Sequence, residues 1–382
     1  MAQHIFVVIA WVIAGICMIA VIYPYVVYPL VLSFFRFRPI RMRDIGSDRG
    51  REFALLFCAY NEAKALPEKI ANLRELRAAY PDLEILAYDD CSDDGSADLL
   101  ESAGLGIRVA RGRQRSGKAH GMKLLAASTN REFLVFTDAN VALAAGALHR
   151  LCAVYADPAV GGVCGVLKYI DAAGSPAAHA GGLYWRLEEH IKALESRSGN
   201  VMGADGSIFS VRSRLYPDFP DTVLDDMTVS MAVIFQGQRL VKDSHVVAYE
   251  RLVTGRHDDF RRRMRIAMRS FHTHIWFRGE LRAMGIGDRW RWWSHRYLRW
   301  QGGSLLIAGS LAALLALVLS AHWLALIACI VAAAGIALAG TYLRLGALST
   351  VVHLIASILL TGVGVFRAQT GHTMATWKPP AR

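Results

Sequence analysis

Positions 5–35 (IFVVIAWVIAGICMIAVIYPYVVYPLVLSFF) form a run of 31 residues without a charge. Such a run can cross a hydrocarbon core of about 30 Å with tilt. No basic segment precedes it and no small-residue cleavage site follows, so it reads as an uncleaved anchor rather than a signal peptide. Three more apolar runs, rich in Ala, Leu, Ile and Gly, lie at roughly 303–320, 321–340 and 346–366. The pattern therefore predicts one span near the N-terminus and three near the C-terminus.

Between them, from Phe53 onward, the period changes to that of an α/β domain. "FALLFCAYNE" reads as a strand running into a polar turn. "KALPEKIANLRELRAAY" has helical spacing through Ile70, Leu73 and Leu76. "LEILAYDDCSDDGS" is a second strand ending in carboxylates, followed by a helix starting at "ADLLESAG". "IRVARG" is a third strand, leading into the Gly/Lys loop and helix "RSGKAHGMKLLAAST". "EFLVFTDANV" is the fourth. Strands alternating with helices imply a mainly parallel sheet, and ligands of such sheets bind beyond the carboxyl ends of the strands. The polar residues collect at those ends: Asn61 and Glu62, Asp89 and Asp90, Lys118, Asp138 and Asn140. The whole set is expected to form one site.

Charge adds an orientation. The net charge of +11 is concentrated beside apolar runs and in residues 251–299, which favours anionic headgroups over nucleic acid as the partner. Arg36, Arg38, Arg41 and Arg43 follow the first span directly, which places the central domain in the cytoplasm. One span before it and three after would leave Arg367, Lys378 and Arg382 outside, against the same rule. A re-entrant or interfacial last segment would remove that conflict. The six Cys (17, 58, 91, 152, 164 and 329) show no paired metal spacing and are expected as free thiols.

"AYNE", "DDCSDDGS", "SGKAHGMK", "TDAN", "GADGSIFSVRSRLY", "LDDM" and "RRRMRIAMR" occur in that order. Together they resemble the family-2 inverting glycosyltransferases, most closely the membrane-bound branch related to cellulose and hyaluronan synthases. The resemblance covers about residues 50–300. It implies an A-type glycosyltransferase (nucleotide-diphospho-sugar transferase) domain, α/β with a mainly parallel sheet, plus transmembrane helices. The implied division is an anchor over 1–36, a cytoplasmic glycosyltransferase domain over 50–250 and basic, aromatic interfacial helices over 251–301. C-terminal spans over 302–366 and a tail over 367–382 complete it. The expected location is the inner (cytoplasmic) membrane, multi-pass.

The resemblance also implies roles. Donor-binding residues are Tyr60, Asn61, Glu62, Asp89, Asp90, Lys118, Asp138, Arg262 and Arg265, with Asp89 accepting the uracil N3–H. Asp226 is the general base and Asp225 positions it. Gly203, Asp205 and Gly206 face the acceptor. The family's usual Asp-x-Asp metal site appears here as Asp138 and Asn140, a carboxylate and an amide oxygen, both hard ligands suited to Mg²⁺ or Mn²⁺. Simpler readings stand beside these. Asp93 and Asp94 suit turn and N-cap chemistry, and Asp225-Asp226 would serve as the N-cap pair of the helix "MTVSMAVIFQG".

One departure bears on the product. Processive relatives carry Gln-x-x-Arg-Trp, and where it would begin this chain has "RRMRI" (262–266), with Arg262 in place of Gln and Ile266 in place of Trp. "RYLRW" (296–300) has similar letters but lies too far along. Arg261, Arg263 and Arg269 are expected to face headgroups. Trp290, Trp292, Trp293 and Trp300 suit a membrane-interface belt, and the "HTH" at 272–274 reads as interfacial. The sequence thus points to transfer of a sugar from a UDP-sugar, with GDP-sugar second, to a lipid-linked or polysaccharide acceptor. A processive synthase that exports its product is the runner-up, needing several chains to assemble if four spans are to enclose a channel. A catalytically silent nucleotide-binding membrane scaffold is the non-enzyme alternative.

Overall fold

The computed structural model describes residues 1–43, 52–170, 176–251, 256–339 and 346–372, without the side chains of 176–183, 256–262, 346–347 and 350. The N-terminal apolar run is not one helix. It divides into α1 (Ala2–Ile22) and α2 (Val27–Ser33), separated by a turn that contains Pro24, which cannot donate to a helical ladder.

The central domain then alternates as the sequence pattern predicts. β1 (Phe53–Ala59), α3 (Leu66–Ala79), β2 (Glu84–Asp89), α4 (Ser96–Glu101), β3 (Arg108–Arg111) and α5 (Lys118–Ala127) lead into β4 (Phe133–Asp138). β5 (Val141–Leu143), α6 (Ala147–Tyr155), β6 (Val160–Ile170), α7 (Pro176–Ser198), β7 (Ile208–Arg212), α8 (Asp225–Phe235) and β8 (Arg239–Arg251) complete it. The eight strands form one sheet in the order β3-β2-β1-β4-β7-β6-β8-β5. Four of the seven pairings are parallel; β4–β7, β6–β7 and β5–β8 are antiparallel. The sheet is therefore mixed. Its parallel half, β3-β2-β1-β4, is the part whose strand ends carry the candidate chemistry.

Alternation along the strands divides the core between two faces. Ala54, Leu56, Leu86, Tyr88, Leu134 and Phe136 pack on one side with α5, α8 and the helices that follow. Phe53, Leu55, Phe57, Ile85, Ala87, Phe133 and Val135 pack on the other with α3 and α6. Each fully buried Leu, Ile, Val or Phe among them contributes roughly 1.5–3 kcal/mol, so a central strand buried on both faces is firmly fixed, and with it the residues just beyond its end. At Gly121 an added Cβ would lie 2.2 Å from Tyr88 and 2.8 Å from Cys58 Sγ, so only glycine lets α5 approach the sheet this closely.

After the sheet come α9 (Arg256–Trp276), α10 (Arg278–Ala283) and α11 (Ile286–Trp292). A π-helical turn joins α11 to α12 (Leu298–Leu319), and α13 (Trp323–Leu338) and α14 (Gly346–Gln369) follow. Among the described residues three helices are long and apolar enough to cross a membrane: Ala2–Ile22, Ile286–Leu319 and Val351–Gln369. The sequence predicts four spans. α13, with 16 residues, rises only about 24 Å, short of a hydrocarbon core. α1 and α12 run antiparallel, since Gln3 Nε2 reaches Leu319 O at one end and Tyr23 OH meets Ser294 Oγ at the other. Gly303 lies against Gly362 so closely that an added Cβ would sit 3.0 Å from its Cα. That is the small-residue contact that lets two apolar helices approach.

Two expectations for the basic and aromatic segment fail here. Trp292 and Trp300 are buried, in the same core cluster as Phe271 and Met268, because their rings cover the domain's underside instead of standing at its edge. Arg269 also turns inward and is 5% exposed. The histidines are built in as well: Trp292 Nε1 donates to His274 Nδ1 at 3.2 Å, and burial lowers the His274 pKa to about 4. All six cysteines are free thiols.

Candidate active site

Strand register brings the polar ends together. Ala59 lies opposite Asp89, Cys58 opposite Asp138, and Asp89 opposite Arg111. Residues 60–62, 89–90 and 138 therefore share one edge.

Asn61 sits in the left-handed region (φ +53) and ties that edge together. Its N–H donates to Ser92 Oγ at 3.0 Å and its Oδ1 accepts from Asp93 N at 3.1 Å. Glu62 N donates to Ser96 Oγ, and Ala63 N to Asp94 Oδ2. Asp94 thus joins two loops. Gly95 is the N-cap residue of α4, and Asp94 Oδ1 accepts from Ser96 N, the first N–H of that helix, at 3.0 Å. Asp89 is 3% exposed. Its Oδ2 accepts from Ser92 N at 3.0 Å, while its Oδ1 is buried without a hydrogen-bond partner among the described residues. A buried carboxylate oxygen is costly to leave unpaired, so this atom fits a donor supplied by a ligand.

Asp90 differs from its neighbour. Its oxygens accept from Ser116 N, Gly117 N and Arg115 Nε at 2.7–3.1 Å. These bonds shape the 115–117 turn that leads into Lys118. The Arg115 guanidinium lies 3.3 Å from the Tyr60 ring centroid.

The charged centre follows from that turn. Lys118 opens α5, and its Nζ lies 2.6 Å from Asp138 Oδ1. A Cβ on Gly206 would fall 2.9 Å from Asp226 Oδ2 and 3.1 Å from Lys118 Nζ. Glycine is what leaves space between these two groups. Burial pulls the Lys118 ammonium down, but Asp138, Asp225 and Asp226 outweigh it and hold the pKa above its ordinary value. Asp225 and Asp226 occupy the first turn of α8. The N-cap reading fails, because no side-chain cap hydrogen bond is made there; Asp226 Oδ1 instead accepts from Met227 N at 2.7 Å. Burial, and then the like charge of Asp225, push the Asp226 pKa up to about 7.

Asn140 is half-buried, and its Nδ2 donates to Glu250 Oε1 at 2.7 Å. That leaves its amide oxygen as the atom available to a cation. Among the described residues no group of three or more His, Cys, Asp or Glu could hold a metal by itself. One carboxylate with one amide oxygen does fit a hard divalent ion that takes its remaining ligands from phosphate and water. Beneath this turn, Lys69 Nζ donates to Val141 O at 2.6 Å, and Asn72 bonds both N and O of Leu143. Burial lowers the Lys69 pKa to about 7, with Asp138 pulling the other way. Sequence reasoning missed Glu250, Lys69 and Asn72. The available signal was two polar residues, three apart, on the apolar face of a predicted helix.

The acceptor-side segment is also held from below. Gly203 has φ +96, and Asp205 is paired with Lys192, a fully buried lysine. Arg296 Nε donates to Met202 O at 2.6 Å and its second nitrogen to Gly203 O at 3.3 Å. "RYLRW", set aside on its sequence distance, thus lies directly against this segment. Arg265 is half-buried on α9; the Arg262 side chain is outside the described set.

Residues 55–218 match the family model described as glycosyl transferase family 2. No curated protein matches the chain. Among solved structures the chain is similar to the mannosyltransferase PcManGT from Pyrobaculum calidifontis, in complex with GDP-Man and Mn²⁺. Identity is 21% and the TM-score 0.71, over 94% of this chain and 99% of that one. TarS 1–349 of S. aureus, in complex with UDP-GlcNAc, matches at 13% identity and TM-score 0.42, over 84% and 92% of the two chains. Mannosyl-3-phosphoglycerate synthase from Rubrobacter xylanophilus matches at 15% and 0.40, over 60% and 77%. Family-model match and fold agree: residues 55–218 carry a family 2 glycosyltransferase domain, the fold is of the A type, and the enzyme is a glycosyltransferase.

Proposed function

We propose that this enzyme is inverting and moves a sugar from a nucleotide diphosphate to a lipid-linked or polysaccharide acceptor at the cytoplasmic membrane face. The observation that carries this reading is the convergence of Lys118, Asp138, Asp226 and Gly206 at the end of a parallel sheet. In this reading Asp226 takes the proton of the acceptor hydroxyl as that oxygen attacks the anomeric carbon. The nucleotide diphosphate leaves from the opposite face with the bonding pair, which inverts the centre. Lys118 offers a fixed positive charge to the departing group. Asp138 and the Asn140 amide oxygen would hold Mg²⁺ or Mn²⁺, whose charge offsets that of the diphosphate. Asp89 favours a UDP-sugar. Its Oδ2 is already engaged by Ser92 N, and uracil presents one N–H where guanine presents a pair that calls for both oxygens.

For the membrane we propose three crossings, by α1, α12 and α14, with α13 not spanning. Val365 and Ala368, near the end of α14, share a core cluster with Leu56 and Phe136 of the central domain and with Phe271 of α9. That supports a tail on the same side as the domain, which satisfies the positive-inside rule.

The pH dependence tests the base. With Asp226 lifted to about 7, kcat/KM should rise with pH through that range as the carboxylate loses its proton. Asp225→Asn removes a like charge, lowers the Asp226 pKa, and should move the acid limb to lower pH. A limb that stays in place would mean that Asp225 does not set it.

Product length tests the acceptor. Ile266 has no flat ring to offer a sugar, and Trp300 stands edge-on to Phe271 and Trp292 inside the core. One or a few additions per encounter are expected. Purified enzyme given a UDP-sugar alone should make no polymer and release nucleotide only by slow hydrolysis. High-molecular-weight product would establish the processive alternative. Release of nucleotide with acceptor present excludes a silent scaffold, and a mass-spectrometric screen of sugar nucleotides would identify the donor.

A further inference from the structure

The three residues before the Asp225-Asp226 pair are all held by one helix. Thr222 Oγ1 lies 3.2 Å from His272 Nε2. Val223 O accepts from an Arg269 guanidinium nitrogen at 2.6 Å. Leu224 N donates to Thr273 Oγ1 at 2.8 Å, and Thr273 Oγ1 donates in turn to Arg269 O. Thr273 is fully buried and Arg269 is 5% exposed, so these bonds are made away from water, where their loss costs most. Thr228 Oγ1 donates to Leu224 O, which joins the held segment to the first turn of α8.

All three partners stand on α9, and α9 also packs against α14. An added Cβ on Gly364 would lie 2.6 Å from Met264 O, 2.9 Å from Ala267 Cβ and 3.1 Å from Met268 N. α9 therefore sits between a helix apolar enough to cross a membrane and the backbone that aims Asp226.

We infer that Arg269 and Thr273 are positioning residues for the general base, and that docking of α9 on α14 keeps them in place. The inference rests on the reading of Asp226 as the base. None of the three bonded residues contributes to the Lys118–Asp138 pair. A displaced α9 should therefore misaim the base and spare the donor site.

The test uses the full-length enzyme and measures turnover and donor affinity separately. Thr273→Val keeps the side-chain volume but leaves Leu224 N without its acceptor. Turnover should fall about 10–100-fold, the scale of a displacement near 1 Å at a reacting group, with the donor Kd within about twofold. Thr273→Ser, which restores the hydroxyl, should recover most of the turnover. Gly364→Ala, acting through the α9–α14 contact, should lower turnover with the same unchanged donor Kd. Its effect should be less than additive with Thr273→Val, since both work through α9. Turnover within twofold of the parent in Thr273→Val would overturn the inference. So would a parallel loss of donor affinity, which marks general disruption, or failure of Thr273→Ser to recover. Asp226→Asn, assayed alongside, separates the two layers. If it remains active, the base is misassigned whatever Thr273 does; if it is inactive and Thr273→Val is not impaired, only the role of α9 fails.

Discussion

Asp226→Asn is expected to abolish transfer while leaving donor binding intact. The amide preserves the side chain's shape and can still accept from Met227 N, the one side-chain hydrogen bond of Asp226 among the described residues. It cannot take a proton from an attacking hydroxyl. The groups proposed to hold the donor lie on other elements: Asp89 at the end of β2, Lys118 at the start of α5, and Asp138 at the end of β4. Lys118 keeps its ion pair with Asp138 in the variant. Losing a general base costs about 10²–10⁴ in rate. Nucleotide release should fall by that factor while the dissociation constant of the UDP-sugar stays within a few-fold. Near-normal turnover would move the base elsewhere, and a matching loss of donor affinity would place Asp226 in the donor site.

The sequence made the parallel half of the sheet legible because each of its strands is a short apolar run delivering a polar residue to a turn. β1 and β4 have that form, and their register puts Asp138 beside Cys58 and Asp89 beside Ala59. The antiparallel pairings were not legible. β7 enters the sheet between β4 and β6, and nothing in "IFSVR" states the direction of its partners. The length of α13 was not legible either: hydropathy registers composition, whereas crossing also needs helical length, and α13 has 16 residues among those described.

Site residues divide in the same way. Asp89, Lys118, Asp138 and Asp226 follow recognisable motifs, so their sequence neighbours point to them. Asp90 sits in the same motif, yet it faces the backbone of residues 116 and 117. Only the direction of a side chain distinguishes it from Asp89. Glu250, Arg296, Arg269 and Thr273 reach the site or its supports from segments far along the chain. Arg269 was expected at headgroups because basic residues recur through α9, but a helix presents successive residues to different sides. One side of α9 meets the Val223 carbonyl.

Asp138→Ala should remove the response of donor binding to divalent cations, since it deletes the single carboxylate of the "TDAN" turn. It also releases Lys118, whose Nζ is 2.6 Å from Asp138 Oδ1. Some donor affinity should therefore survive through that ammonium, now insensitive to Mg²⁺ or Mn²⁺. Asn140→Asp should act in the opposite direction. Asn140 Nδ2 donates to Glu250 Oε1, so a carboxylate at position 140 replaces a hydrogen bond with a like-charge contact. A bound cation would relieve that repulsion, and a second anionic ligand strengthens a hard divalent site. Metal-free Asn140→Asp enzyme should thus bind donor more weakly than the parent, and added Mn²⁺ should restore binding at a lower concentration than the parent requires. Titrating donor affinity against Mn²⁺ in the parent and both variants gives the comparison. Chelator-treated parent enzyme that binds and turns over donor at its full rate would show that the Asp138–Asn140 turn is not a metal site, leaving Lys118 as the charge that meets the diphosphate.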